Sequence, residues 1–425
     1  MTKNDIEPRT VSVVAPYELP EGWKWTRLGE CSSVISKGTT PKGGKDAYLK
    51  EGVNFLRIEN LNDDGSINHS NISHISQEEH EGNLKRSRLE AGDLLVSIAG
   101  TLGKVGFVTE TDLPMNTNQA IAFVRLHKDI FDNMYLKYAI ESPFVNAKLL
   151  SKTKVTSIPN LTLEIISNCI IPLPPTLAEQ QRIVSRIESL FAKLDEAKDK
   201  AQSVVDGFEL RRAAVLHKAF TGELTAKWRK EHGVSDDSWE EKRFDEIADI
   251  KSNLVDVAEY QDFPHIAPDN IEKKTGVLLE YHTVAEDKVK SGNHRFYAGQ
   301  ILYSKIRPYL SKVVVVDFDG VCSADMYPIE AKENTRFLWY QMLSNEFLDK
   351  ASNSGSRSVL PKINQKELSI IPMRTCSLPE QQEIVRILDV VLQKEADAKE
   401  AAEYVLEQIG LLKKSILARA FRGEL

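Results

Sequence analysis

Cysteine is scarce and scattered in this chain of 425 residues: Cys31, Cys169, Cys322 and Cys376, with no Cys-x-x-Cys pair. That excludes a zinc ribbon or a disulfide framework and fits a reducing compartment. Long apolar runs are missing too. The longest, such as Val313–Val316, fall far short of a bilayer's thickness. The stretch up to Gly22 holds no apolar segment of the kind a signal peptide needs, so a cytoplasmic protein that does not enter membranes is expected. There is no Gly-x-x-x-x-Gly-Lys-Ser/Thr phosphate loop; Gly100-Thr-Leu-Gly-Lys-Val105 has the wrong spacing. No His-Glu-x-x-His occurs among the nine histidines, and no Asp/Asn-Pro-Pro-aromatic motif exists to flip and methylate an adenine. Asp317 with Glu330-Ala-Lys332 has the spacing of a metal-dependent nuclease. It lacks a counterpart elsewhere and reads as a strand-end acid beside a surface ion pair, so neither a catalytic nor a metal site is expected. An excess of positive charge is also absent. Lys and Arg number 55 against 62 Asp and Glu, for a net charge of -7, which argues at first sight against nucleic acid as a partner. The 41% hydrophobic content is ample for folded cores, and the length suits two to four domains.

What the chain has is a repeat. Glu179-Gln-Gln-Arg-Ile-Val184 matches Glu380-Gln-Gln-Glu-Ile-Val385, and Phe220-Thr-Gly-Glu-Leu224 matches Phe421-Arg-Gly-Glu-Leu425. Both pairs are 201 residues apart, so the segments between the anchors align without a gap. Weaker matches precede each: Trp23 with Trp239, Ala91-Gly92 with Ala298-Gly299, Tyr135-Leu-Lys-Tyr138 with Phe337-Leu-Trp-Tyr340, and Ile171-Pro172 with Ile371-Pro372. The order is globular, helical, globular, helical, with expected boundaries at 1–172, 173–234, 235–372 and 373–425. A period of about 200 residues is too long for a solenoid.

Each helical segment follows prolines, Pro172-Leu-Pro-Pro175 or Pro379, and approaches its end near Gly222 or Gly423. Apolar residues fall at Ile183, Ile187, Leu190, Leu194, Ala197, Ala201, Val204 and Phe208, a heptad stripe. The second copy reads Ile384, Leu388, Val391, Glu395, Ala398, Ala402, Val405 and Ile409, broken only by Glu395. Two long stripes that can bury each other predict an antiparallel coiled coil and, with it, a pseudo-twofold repeat. These apolar positions are the candidate helix and partner interface.

The globular segments read as α+β, two similar mixed domains of short strands and polar loops. Strands are expected at Phe55–Ile58, Asp93–Ala99, Val105–Thr109 and Ala120–Leu126, and in the second copy at Ile301–Ser304 and Val313–Val316. The loops mix Ser, Thr, Asn and Gly with Lys and Arg, groups that donate hydrogen bonds to phosphate oxygens. Ser36–Lys45 is basic and glycine-rich, and Lys288–Val316 holds six Lys and Arg with no acid. The candidate DNA contacts are Lys37, Thr39, Thr40, Lys104, Asn118, Lys154, Thr156 and Ser157 in the first copy. In the second they are Lys305, Arg307, Lys312, Ser356, Arg357, Ser358 and Lys362. Arg307 and Arg357 are the expected base readers, because a guanidinium forks onto a guanine edge.

These residues closely resemble one family, the DNA-specificity subunit of type I restriction–modification systems. The resemblance rests on Leu19-Pro-Glu-Gly-Trp-Lys-Trp25, on Ile171-Pro-Leu-Pro-Pro175 leading into Glu179-Gln-Gln-Arg-Ile-Val184, and on Ala219-Phe-Thr-Gly-Glu-Leu-Thr-Ala-Lys-Trp-Arg229. It implies two target-recognition domains, each reading half of a bipartite asymmetric site in double-stranded DNA. It also implies helical regions that space the domains and dock two methyltransferase subunits. The chain itself would be non-catalytic and carry no cofactor. S-adenosylmethionine, ATP and Mg would belong to the methyltransferase and restriction/translocase subunits. The alternative reading is a duplicated coiled-coil scaffold that binds no DNA.

Overall fold

The computed structural model describes residues 17–151, 160–354 and 361–425. The chain forms two compact units. Unit 1 holds residues 1–200 together with 405–425, and unit 2 holds 201–404.

Among the described residues unit 1 has nine strands: β1 (Lys24–Arg27), β2 (Ser32–Lys37), β3 (Val53–Leu56), β4 (Ser73–Ile75), β5 (Leu94–Ser97), β6 (Val105–Phe107), β7 (Met115–Thr117), β8 (Ile121–Leu126) and β9 (Ile170–Leu173). They pair as a four-stranded sheet β2-β8-β5-β6, a three-stranded sheet β4-β3-β7 and the antiparallel pair β1-β9. β5, β6 and β8 sit within the expected stretches, β3 lies two residues earlier than expected, and β1, β2, β4, β7 and β9 are additional. The helix Asn133–Glu141 follows, with Asp132 as its N-cap accepting from the Tyr135 amide at 2.9 Å.

Unit 2 repeats the plan with β10 (Glu240–Arg243), β11 (Ala248–Ile250), β12 (Leu254–Val255), β13 (Pro264–Ile266), β14 (His282–Thr283), β15 (Asn293–Phe296), β16 (Ile301–Ser304), β17 (Val313–Val315), β18 (Gly320–Cys322), β19 (Met326–Ala331) and β20 (Pro372–Thr375). Its four-stranded sheet, β11-β19-β16-β17, corresponds strand for strand to the four-stranded sheet of unit 1. The other sheet, β12-β15-β18-β13-β14, gains two strands over its counterpart. The helix Thr335–Met342 takes the place of Asn133–Glu141. This is the α+β duplication the sequence predicts.

Two long helices run Leu177–Thr221 and Leu378–Ala420. The first stops as expected, at Gly222 with φ +84°. The second stops earlier than expected, three residues before Gly423. In each unit a piece of one helix lies antiparallel to a piece of the other. In unit 1, Lys413 reaches Asp195 at 2.5 Å; in unit 2, Arg211 reaches Glu395 at 2.6 Å. The stripe residues are buried where the helices meet the domains. Ile183 and Ile187 join the unit 1 core with Leu417, Ala420 and Phe421. Ile384 and Leu388 join the unit 2 core with Leu216, Ala219 and Phe220. Midway along, Leu190, Leu194, Val204, Phe208 and Val391 are half-buried, Val405 is exposed, and Ile409 is buried again. Glu395, the break in the stripe, does not interrupt the helix. Its carboxylate accepts from Arg211, whose guanidinium also reaches the Val204 carbonyl at 2.8 Å.

The repeated Glu-Gln-Gln motif is structural. Gln180 is buried; its amide donates to the Ile130 carbonyl at 3.0 Å and accepts from the Asp132 amide at 2.8 Å, so it welds the helix start to the domain. Gln381 does the same in unit 2 through the Cys376 carbonyl at 2.9 Å and the Thr375 hydroxyl at 3.2 Å. The preceding glutamates differ. Glu179 is partly exposed and pairs with Arg182 one turn along. Glu380 is fully buried and accepts from Arg229 and Thr225, both at 2.7 Å, and from the Trp239 indole at 3.1 Å. Arg229 and Thr225 come from the Thr-Ala-Lys-Trp-Arg segment that follows the first helix.

Removing one partner of a buried ion pair strands the other without solvation, at a cost of about 3–5 kcal/mol. Arg229→Ala should therefore lower unit 2's resistance to denaturant by that amount. Arg182→Ala, which touches the exposed Glu179, should cost less than about 1 kcal/mol. Equal losses in chemical denaturation curves would contradict this assignment.

Candidate nucleic-acid interface

In unit 1 the sheet registers gather four loops at one end. Lys37 lies opposite Ala122 and Ser97 opposite Ile121, so the end of β2, the start of β8 and the end of β5 meet. β3 and β7 run parallel with Leu56 opposite Thr117, which brings both their ends to the same place. Backbone hydrogen bonds tie the loops together. Gly38 donates to the Ile121 carbonyl and Thr39 to the Thr117 carbonyl, both at 3.0 Å; Asn118 donates to Leu56 at 3.2 Å. The Thr40 hydroxyl donates to Gln119. Lys37, Thr39, Thr40 and Asn118 thus form one cluster, with Lys37 and Thr39 exposed. Lys104 stands on the neighbouring loop, where its amide donates to Ser97 Oγ at 2.8 Å. Its ammonium is engaged by Asp63 at 2.9 Å, and that bond and charge hold the Asp63 carboxyl below its usual range. Lys154, Thr156 and Ser157 lie outside the described residues; Leu161, just after them, donates to Ile98 at 3.0 Å at this same end.

Unit 2 reproduces this end almost bond for bond. Ser323 donates to Ile266 at 2.8 Å, as Asn118 does to Leu56. Lys305 donates to Asp325 at 3.0 Å, as Ile98 does to Ala120. Ile363 donates to Lys305 at 2.9 Å, as Leu161 does to Ile98, and Ser304 donates to Lys312 at 3.0 Å, as Ser97 does to Lys104. Lys305, Arg307, Lys312 and Lys362 are therefore brought together. Ser356, Arg357 and Ser358 lie outside the described residues.

Most of these cations are already committed. Lys312 donates to the Pro268 carbonyl at 2.7 Å and sits 3.4 Å from Asp269. Lys362 pairs with Asp325 at 3.1 Å, and Lys305 lies over the Tyr327 ring at 5.3 Å. Arg307 is exposed and has no ion pair among the described residues. The acid-free stretch Lys288–Val316 is not one basic face. Arg295 is enclosed by the rings of Tyr260, Phe263 and Tyr297 at 5.0–5.3 Å from each centroid. The nuclease-like spacing dissolves as well. Lys251 bridges Glu330 at 3.1 Å and Asp249 at 3.2 Å, and Lys332 approaches Asp249 at 3.6 Å, a surface ladder of ion pairs. Among the described residues no group of three or more His, Cys, Asp or Glu is placed to hold a metal ion.

Some residues here carry no local sequence signal. Asp63, Asp269 and Asp325 are separated from the lysines they neutralise by more than a strand and its loop. In unit 2, His294 Nδ1, Asn293 Nδ2 and Ser311 Oγ are buried without a hydrogen-bond partner among the described residues. Burial first, and the Lys305 charge second, hold the His294 imidazole below its usual range.

Gly38 is the tightest point of the unit 1 cluster. A Cβ there would overlap the carbonyl groups of Thr117 and Asn118, which are held by the β3-β7 pairing and by the Thr39 amide. Gly38→Ala should destabilise unit 1 by about 1–3 kcal/mol through overpacking. The measurement is a thermal melt, where an unchanged midpoint would show that the Gly38 contact is not tight.

Comparison with known proteins bears on the fold and the family. The family model described as the type I restriction modification DNA specificity domain matches residues 20–204 and again 236–407. The EcoDI specificity subunit of Escherichia coli is 41% identical over 299 residues, 65% of this chain and 67% of its own length. The EcoBI specificity subunit of the same species is 31% identical over 222 residues, 50% of this chain and 44% of its own length. Among solved structures, the HsdS subunit of Thermoanaerobacter tengcongensis overlays with a TM-score of 0.65 at 22% identity, covering 96% of this chain and 99% of that one. A chain from a study of complex assembly and conformational transition of the type I R-M system overlays at 0.73 and 20% identity, covering 96% and 100%. The doubled family match falls on the doubled fold, and the two sheet ends carry phosphate-compatible loops: the chain belongs to the type I restriction–modification DNA-specificity family, and its role is DNA recognition.

Proposed function

We propose that this chain reads a bipartite, asymmetric DNA site, one half with each unit, and directs partner methyltransferase subunits to methylate adenine at N6. Restriction/translocase subunits would add ATP-dependent cleavage. In this reading S-adenosylmethionine, ATP and Mg are used by those partners, in the cytoplasm. One observation carries the proposal. The two units share a framework of loop hydrogen bonds but present different side chains on it. Gly100 and Gly103 in one loop answer to Arg307 and Ser311 in the other; Asn118 answers to Ser323. A shared frame with unlike tips is what two unlike half-sites require. Sequence is read by side chains at base edges, while phosphate contacts only fix the register.

The helices would serve as spacer and docking surface. Leu210, Tyr404, Leu411 and Leu412 are large apolar side chains left more than 45% exposed on them, which suits coverage by a partner. Among the described residues no helix is long and apolar enough to cross a membrane.

The first test is co-expression with methyltransferase subunits, followed by sequencing of methylated adenines. A single asymmetric motif with a fixed gap is expected, and no motif, or one uninterrupted motif, would refute the reading. The second test concerns the spacer. Inserting one helical turn near Ala197 and one near Ala398 adds about 5 Å to each helix. The unread gap should grow by roughly one to two base pairs, at about 3.4 Å each, with both half-sites unchanged. An unchanged gap would remove the helices from that role.

A further inference from the structure

We propose that Arg212, on the first long helix, is a positioning residue for DNA reading in unit 2: through the hairpin at 271–278 it holds the loop at 305–312 in the left-handed conformation that presents Arg307 to a guanine edge. The inference rests on the DNA-reading role proposed above.

The starting observation is backbone conformation. Only five non-glycine residues have positive φ among those described, and three meet here: Lys274 at +64°, Arg307 at +49° and Ser311 at +46°. Left-handed backbone is costly for residues with a Cβ and is retained where the surroundings over-determine it. Unit 1 shows the unstrained alternative. Its matching loop has glycines in the left-handed positions, Gly100 at +71° and Gly103 at +76°. Unit 2 therefore carries an arginine and a serine where the same frame accepts glycine. The side chains, not the turn, account for that choice.

The second observation is what keeps the loop there. Arg212 is buried, and its guanidinium donates to the Lys274 carbonyl and, at 3.2 Å, to the Thr275 carbonyl. Burial pulls its pKa down from the ordinary arginine value, so both carbonyls bond a poorly hydrated cation. The Lys274 amide in turn donates to the carbonyls of Leu310 at 3.1 Å and Ser311 at 3.2 Å. Gly276 closes the hairpin against Trp339, where a Cβ would overlap the indole. The relay runs from helix to hairpin to loop within unit 2. From below, Lys312 ties the loop to Pro268, and the Arg307 amide donates to Pro361 at 2.8 Å. Unit 1 lacks the relay: the residue matching Arg212 is Lys413, which pairs with Asp195 instead.

The third observation points to a ligand. Arg307 is the exposed cation at this end without an ion pair among the described residues. A forked donor left free in this way suits the O6 and N7 acceptors of guanine.

The test uses the full chain assembled with its methyltransferase subunits. Initial methylation rates are measured on the cognate duplex and on duplexes with single substitutions in each half-site. Arg307→Gly inserts the unit 1 residue. It should leave the melting temperature unchanged or raised, yet reduce discrimination at one guanine of one half-site by roughly tenfold or more. Arg212→Met keeps the stem and removes the fork. It should reduce discrimination at that same position and leave the other half-site untouched. Unchanged ratios in Arg307→Gly would overturn the loop's role. A uniform rate loss across all duplexes would reduce Arg307 to a phosphate contact and overturn the proposal. Equal effects of Arg212→Met on both half-sites would make Arg212 merely structural and would overturn the proposal as well. A wild-type complex that discriminates in neither half-site would instead defeat the DNA-reading role itself.

Discussion

Ile183 and Ile187 are buried because Leu417, Ala420 and Phe421, more than two hundred residues later in the chain, close over the same core. Ile384 and Leu388 are buried in unit 2 against Leu216, Ala219 and Phe220 by the same exchange. Each recognition unit thus borrows the end of a helix that begins in the other. Apolar burial is the main favourable term in folding, so neither core is complete until both helices are continuous. This constraint accounts for the constant offset between the two helical anchors. An insertion in one helix alone would move one end out of its core, whereas loops on the domains can change length freely. The drifting offsets in the globular halves and the fixed one in the helices follow from that difference.

The duplication is asymmetric at one point. Glu380 is enclosed by Arg229, Thr225 and Trp239, whereas its sequence match Glu179 keeps a partly exposed pair with Arg182. Arg229 and Thr225 lie in the segment between the first helix and β10, so the clamp anchors that segment to the start of the second helix. In unit 1, Pro20 takes the corresponding space, and a Cβ on Gly423 would overlap it. Two identical motifs therefore sit in different environments: one buries its charge and must pair it, and the other leaves it to solvent.

The fold was legible because it rests on periodicity. The β16 strand matches its expected bounds, and most other expected strands and helices fall within a residue or two. Glu395 is instructive: its misfit in the heptad stripe is resolved only by Arg211 on the other helix, a partner that spacing within one helix cannot reveal. The site was legible in part. Reading by residue type picked loops that the structure gathers at one end of each unit, because Ser, Thr, Gly and Lys cluster where strands end at one edge. It misjudged the basic stretch of the second copy, since the absence of acids along the chain says nothing about acids or aromatic rings across a sheet. Arg212 stayed hidden for the opposite reason: a charged residue in a helix reads as solvated surface, and only the hairpin packed on it shows otherwise.

The net charge of -7 takes on a local meaning in this light. At the sheet ends that carry the candidate contacts, Lys104, Lys312 and Lys362 are each neutralised by an aspartate from a neighbouring loop. Free lysines there would draw any duplex through counterion release, whatever its sequence. Paired lysines hold the loops in shape instead, and each must exchange an aspartate for a phosphate before it adds to affinity. That exchange would lower sequence-independent attraction at the ends proposed to read base edges. A subunit whose task is discrimination gains from this arrangement, because specificity is the difference between correct and incorrect binding rather than the strength of either. The remaining attraction for the backbone is then better supplied by surfaces that do not read bases.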